Sequence, residues 1–81
     1  RKGYATEVAA TLTTAAFTVA GIDRVEIHHD KANVASGSVP RRLGFEFIGE
    51  TPDAVTSPGE VGIDCAWMID RQGWLERPSP A

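Results

Sequence analysis

The sequence has one cysteine and no long apolar run. Cys65 alone cannot form an internal disulfide or a cysteine-based zinc cluster, and a single thiol fits a reducing compartment, so we expect a cytoplasmic protein. No run of about 18 apolar residues and no signal-peptide pattern occurs, so neither a membrane span nor a secretion route is indicated. Basic residues are also few, because 8 Lys and Arg stand against 11 Asp and Glu. The resulting net charge of −3 argues against a nucleic-acid-binding domain.

The chain is short and does not start with methionine. A domain of 81 residues buries little more than about 60% of its unfolded surface, so its core is limited without disulfides, metal or a partner surface. The first residues also read as the middle of a functional loop. We therefore expect residues 1–81 to be a single partial domain whose N-terminal half is missing.

Hydrophobic periodicity predicts an α/β order of helix, strand, helix, strand and strand. The packing stripe of the first helix is predicted at Tyr4, Val8, Leu12, Ala15, Ala16 and Val19, widened by Ala9, Phe17 and Ala20. Glu7 is expected in its first turn and Gly21 at its end. The later predicted elements are a strand over 24–29, a short helix ending at 43–44, a strand over 45–49, a loop over 50–62, a strand over 63–69, a helical turn near 74–75 and a loose tail over 76–81. Pro40 requires the second helix to be short, kinked or late-starting.

The start of the first helix is a candidate anion-binding site. The N–H groups of a helix's first turn have no acceptors within the helix, the helix dipole adds positive charge, and Gly3 lets a phosphate approach the main chain. Arg1 and Lys2 add cations beside it. Considered without the rest of the chain, these residues could also form an ordinary capped helix start that binds no anion.

Three motifs occur in a fixed order along the chain. Gly-Tyr-Ala-Thr-Glu-Val at 3–8 opens the first helix, Asn33-x-x-Ser36 follows the first strand, and Arg-Leu-Gly-Phe at 42–45 ends the second helix. In this order and spacing, residues 1–68 resemble the C-terminal half of a GCN5-related N-acetyltransferase (GNAT). Within that superfamily, the chain is most similar to the ribosomal-protein-alanine acetyltransferase-like branch.

The resemblance implies a partial GNAT fold, with helices packed on a mixed sheet, that forms the cofactor-binding half of an acetyl-CoA-dependent enzyme. Residues 1–5 match the family's phosphate loop, Gln/Arg-x-x-Gly-x-Gly/Ala, after its first position. The implied cofactor-binding residues are Arg1, Lys2, Gly3, Tyr4, Ala5, Thr6, Asn33 and Ser36, and no metal is implied. The N–H groups of the helix start would hold the pyrophosphate, and the Asn33 amide would hold the pantetheine arm. An Asx turn or helix cap is the alternative role of Asn33.

Acetyl transfer also needs a proton donor for the departing thiolate. Many family members carry a tyrosine near the middle of the second helix, and Pro40 stands at that place here. Ser36 is the nearest hydroxyl in the pattern, so the resemblance implies Ser36 as the catalytic donor close to the sulfur. The alternatives are an N-cap or a hydroxyl bonded to its own helix. No general base is identifiable, and we expect the chain alone to be inactive.

Several other polar residues have two interpretations each. His28 and His29 point to opposite faces of a strand, so they favour a surface position or a proton relay over a metal site. Asp64 is interpreted as a solvated carboxylate or as part of a substrate cleft. Arg41 and Arg42 are interpreted as contacts to a CoA phosphate or as a solvated helix face. The residues predicted to fill the core or anchor packing are Cys65, Trp67 and Trp74.

The predicted function is N-acetyl transfer from acetyl-CoA to a primary amine, either a protein N-terminus or a small molecule. The alternative is a non-catalytic module that binds CoA or phosphate, or a subunit fragment. The expected partners are therefore acetyl-CoA and an amine, without nucleic acid or membrane, and a homodimer is left open.

Overall fold

The computed structural model of the protein describes residues 2–77, without the side chain of Lys2. The elements are α1 (Lys2–Phe17), β1 (Arg24–Asp30), α2 (Val34–Arg42), β2 (Glu46–Pro52), β3 (Ile63–Asp70) and α3 (Arg71–Glu76). The predicted order is confirmed, and the predicted last turn is a short helix. Of the predicted tail over 76–81, residues 78–81 lie outside the described part. No helix in the described part is long and apolar enough to cross a membrane.

The sheet has the order β1-β3-β2, with β3 antiparallel to both neighbours. The predicted α/β class is confirmed. Both strand pairings are antiparallel, so the part of the sheet formed by residues 2–77 is not the mixed sheet that was expected. The register of β2 shifts at a bulge between Phe47 and Gly49, and β2 continues to Pro52. The connecting loop therefore begins at Asp53, and the prediction of a loop over 50–62 is wrong at its start.

The packing face of α1 differs from the predicted stripe. Tyr4 is 68% exposed and Leu12 is 64% exposed, so this stripe faces away from the sheet. The side chains that contact the core are Ala9, Ala10 and Phe17, with Thr13 buried beside them. The Thr13 hydroxyl donates to the Ala9 carbonyl at 2.7 Å, which satisfies this buried polar group. The predicted stripe is correct only at its margin, where Ala9 and Phe17 were placed.

The ends of α1 also differ from the expectation. The helix starts at Lys2, so Glu7 lies in its second turn, and it stops at Phe17, before Gly21. Gly21 has a φ of +90° in the turn that leads to β1, a conformation that glycine adopts without strain. The guanidinium of Arg71 donates to the carbonyl oxygens of Phe17 and Ile22. Arg71 thereby holds the end of α1 against the start of α3.

All three helices contribute to one core on a single face of the sheet. The buried side chains of this core are Phe17, Leu43, Phe45, Trp67, Ile69 and Trp74. The Trp74 indole N–H donates to the Thr14 hydroxyl at 3.1 Å, which satisfies its polar edge. The prediction that both tryptophans anchor packing is confirmed. Cys65 is buried as predicted, and burial raises the pKa of its thiol.

Candidate functional site

The first turn of α1 presents its backbone without steric cover. Residues 2–5 are already helical, so the predicted turn around Gly3 is part of the helix itself. The first four N–H groups of a helix have no acceptor within it. A Cβ built at Gly3 meets no atom within 4 Å, so the packing of residues 2–77 does not require glycine there. Arg1 and the side chain of Lys2 lie outside the described part of the chain.

A cavity of about 530 Å³ lies between this turn and the end of α2. Gly3, Thr6 and Glu7 line one wall, and Arg42 and Leu43 line the other. Arg41 and Arg42, which received the same interpretation from the sequence, have different surroundings in the structure. Arg42 lies at the cavity beside Gly3, whereas the guanidinium of Arg41 lies 5.3 Å from the ring centre of Trp67. Arg42 therefore lines the same cavity as Gly3, and the carboxylate of Glu7 lines that cavity as well.

Asn33 is the N-cap of α2. Its side-chain oxygen accepts a hydrogen bond from the backbone N–H of Ser36 at 3.0 Å. The alternative role predicted for Asn33, that of a helix cap, is therefore observed. The amide group has separate donor and acceptor ends, so this bond leaves the NH₂ group for a ligand. Capping and ligand binding are compatible roles for this residue.

Ser36 lies in the first turn of α2, where neither alternative predicted for it occurs. The N-cap is Asn33, and in residues 2–77 the Ser36 hydroxyl has no hydrogen-bond partner. The hydroxyl of Ser38, by contrast, donates to the carbonyl of Ala35 at 2.7 Å. Ser36 lines a cavity of about 470 Å³, together with His28, Asn33 and the loop residues 57–60. Its hydroxyl is thus available to a ligand in that cavity.

Pro40 lies within α2, which has nine residues, so the requirement for a short helix is met. The ring is fully buried, and its carbonyl accepts from the backbone N–H of Phe45 at 3.0 Å. Pro40 therefore supplies packing at this position, and its side chain has no proton to donate.

Asp30 joins the two loops that border the Ser36 cavity. Its carboxylate accepts from the backbone N–H groups of Ala32 at 2.8 Å, and of Val61 and Gly62 at 3.1 Å each. These hydrogen bonds, with that of Ala32 the largest, hold the pKa of Asp30 below its usual value. No sequence motif signals the contact with Val61 and Gly62, because these backbone groups are 31 and 32 residues away from Asp30.

His28 lies on the opposite face of the sheet from His29, as the strand alternation predicts. Its Nδ1 is 2.7 Å from the Asp64 carboxylate, and its Nε2 is 2.8 Å from that of Glu26. The hydrogen bond to Asp64, followed by that to Glu26, raises the pKa of His28. The hydrogen bond from His28, followed by that from Arg24, lowers the pKa of Glu26. The described residues contain no His, Cys, Asp and Glu cluster arranged to hold a metal ion.

The stability contributed by His28 is expected to fall as the pH rises. A raised pKa means that the contribution is fully present below the unfolded value of about 6.5 and is lost as the pH passes the folded value. Urea unfolding at about pH 6 and about pH 9 measures how much the free energy of unfolding of the wild type exceeds that of His28→Gln. We expect this excess in unfolding free energy to be smaller at the higher pH. An excess that grows with pH would contradict the raised pKa of His28.

The chain was compared with known proteins by sequence and by structure. The sequence profile of the acetyltransferase (GNAT) domain matches residues 1–46. The comparison with curated proteins found no significant match. A probable GNAT-family acetyltransferase from Chromobacterium violaceum has 30% sequence identity and a TM-score of 0.72, over 86% of this chain and 35% of that chain.

A second solved structure shows likeness of fold. A GCN5-related N-acetyltransferase from Brucella melitensis has 24% identity and a TM-score of 0.73, over 88% of this chain and 32% of that chain. The chain therefore spans about a third of the length of each of these proteins.

Proposed function

Because the chain belongs to the GNAT acetyltransferase family, we propose that its protein transfers an acetyl group from acetyl-CoA to a primary amine. The observation that carries this proposal is the start of α1, where an open backbone at Gly3 and the Arg42 side chain border one cavity. A pyrophosphate requires several converging N–H donors and favours a bidentate guanidinium. Gly3 in the first turn of α1 and Arg42 at the end of α2 support this assignment, since both line the cavity.

The proposed reaction assigns separate roles to the start of α1, to Arg42 and to Ser36. The N–H groups of Gly3, Tyr4 and Ala5 bind the pyrophosphate, and Arg42 neutralises its charge. Acetyl-CoA supplies the acetyl group as a thioester, so a C–N bond forms while the C–S bond breaks. Ser36 donates a hydrogen bond to the sulfur as negative charge develops on it. The base that deprotonates the amine is not assigned to a described residue.

The acceptor is proposed to be a protein N-terminus or a small-molecule amine. The resemblance of the sequence to the ribosomal-protein-alanine acetyltransferase-like branch makes an alanine N-terminus the first acceptor to try. Incubation of the full-length protein with acetyl-CoA and a panel of such amines, with released CoA titrated by a thiol reagent, tests the proposal. We expect amine-dependent release of CoA with one equivalent of acetylated product.

One observation favours the alternative of a non-catalytic CoA-binding module. Pro40 stands where the sequence resemblance implies a tyrosine as the acid, and proline cannot donate a proton. Tight CoA binding without acetylation of any amine in the panel would support that module and contradict the enzyme.

Two substitutions of Asn33 separate its capping role from its ligand role. Asn33→Asp keeps a capping oxygen and loses the NH₂ donor, so we expect unchanged stability and weaker acetyl-CoA binding. Asn33→Ala loses both, so it is expected to cost about 1 kcal/mol of unfolding free energy as well. Chemical denaturation and calorimetric titration of the two variants check these outcomes. Wild-type acetyl-CoA affinity in Asn33→Asp would restrict Asn33 to capping.

A further inference from the structure

His29 lies between the sheet and α2 and lines two cavities. The indole Nε1 of Trp67 donates to His29 Nε2 at 2.9 Å, and His29 Nδ1 lies 2.9 Å from the carbonyl oxygen of Asp30. An indole N–H only donates and a carbonyl only accepts, so the proton is assigned to Nδ1. Two fixed partners thus hold the ring in one tautomer and one orientation.

The first half of α2 rests directly on this ring. A Cβ built at Gly37 would lie 2.9 Å from Cε1 and 3.1 Å from Nε2 of His29, which is closer than side-chain atoms pack. The ring cannot turn aside without losing its bonds to Trp67 and to the Asp30 carbonyl. The ring therefore sets how closely α2 approaches the sheet, one residue after Ser36.

We propose that His29 is a positioning residue for Ser36. Its ring fixes the height of the first turn of α2 above β3 and thereby the position of the Ser36 hydroxyl in its cavity. This inference rests on the proposed function, since the position affects turnover only where Ser36 meets the departing thiolate. A displacement of about 1 Å at such a donor reduces turnover by about a hundredfold.

Four variants of the full-length protein test this role. His29→Ala removes the ring, so we expect kcat to fall by about tenfold to a hundredfold, with KM for acetyl-CoA within about twofold because the phosphate contacts lie elsewhere. His29→Gln keeps an acceptor for Trp67 and is expected to recover most of kcat. Gly37→Ala, which in an open helix is stabilising, should lower kcat by pressing on the ring. The double variant His29→Ala with Gly37→Ala should exceed both single variants in kcat, since the methyl group enters the vacated space.

The outcomes separate positioning from general stability. Loss of melting temperature in His29→Ala with unchanged kcat per folded molecule would make the ring merely structural and overturn the proposal. Additive effects of His29→Ala and Gly37→Ala on kcat would overturn it as well.

Crystal structures of the variants separate this proposal from the proposed function. The backbone of Ser36 should move toward β3 in His29→Ala and stay near its wild-type position in His29→Gln, whether or not acetyl transfer occurs. A wild type without transfer activity would overturn the proposed function. An unmoved Ser36 backbone in His29→Ala would overturn the positioning.

Discussion

Replacement of Gly3 by valine is expected to weaken CoA binding by about tenfold to a thousandfold, because one or two charge-assisted hydrogen bonds from the helix start are lost. The branched side chain would occupy the space through which the pyrophosphate reaches the N–H groups of α1. The fold is expected to tolerate the change, since a Cβ at Gly3 meets no atom within 4 Å. Valine also has a higher helix propensity than glycine.

Calorimetric titration with CoA, combined with thermal unfolding, measures both effects in the full-length protein. Ala15→Val is the matched control, because it adds a β-branched side chain at an exposed position of α1 far from its first turn. The control should bind CoA as the wild type does. Undiminished affinity in a folded Gly3→Val variant would rule out the phosphate site at α1.

Replacement of Ser36 by alanine is expected to lower single-turnover acetyl transfer by about tenfold to a thousandfold and to leave acetyl-CoA binding nearly unchanged. A donor aimed at the sulfur interacts more strongly with developing thiolate charge than with the neutral thioester. Stability should not fall, because the Ser36 hydroxyl has no partner in the described part and alanine is the better helix former.

Ser38→Ala is the matched control for this experiment. It removes a hydroxyl from the same helix that is bonded to the Ala35 carbonyl, so it should change stability slightly and leave turnover intact. Wild-type turnover in Ser36→Ala would remove Ser36 from the mechanism.

The sequence predicted those features that depend on neighbouring residues. Alternation at Val25 and Ile27 predicted β1 and its buried face, and the apolar surroundings of Cys65 predicted its burial. The face of α1 was predicted wrongly because alanine and threonine occupy both sides of that helix. Tertiary packing selected the side whose small residues allow the closest approach, and the larger Tyr4 and Leu12 remained exposed.

The sequence motifs indicated candidate residues of the site, but they did not indicate which side chains contact each other there. Gly3, Asn33 and Ser36 were identified because their motifs resemble those of the GNAT family in order and spacing. The pairing of His28 with Asp64 joins residues 36 positions apart, and no periodic pattern signals such a pair. The separation of Arg41 from Arg42 likewise depends on where α2 lies relative to α1.

A crystal structure of the full-length protein with acetyl-CoA tests the central claim most directly. We predict pyrophosphate oxygens within about 3 Å of the backbone nitrogens of Gly3, Tyr4 and Ala5, with Arg42 beside them. We also predict that the thioester sulfur lies within hydrogen-bond distance of the Ser36 hydroxyl. Acetyl-CoA bound away from the start of α1, with Ser36 remote from the sulfur, would contradict these predictions.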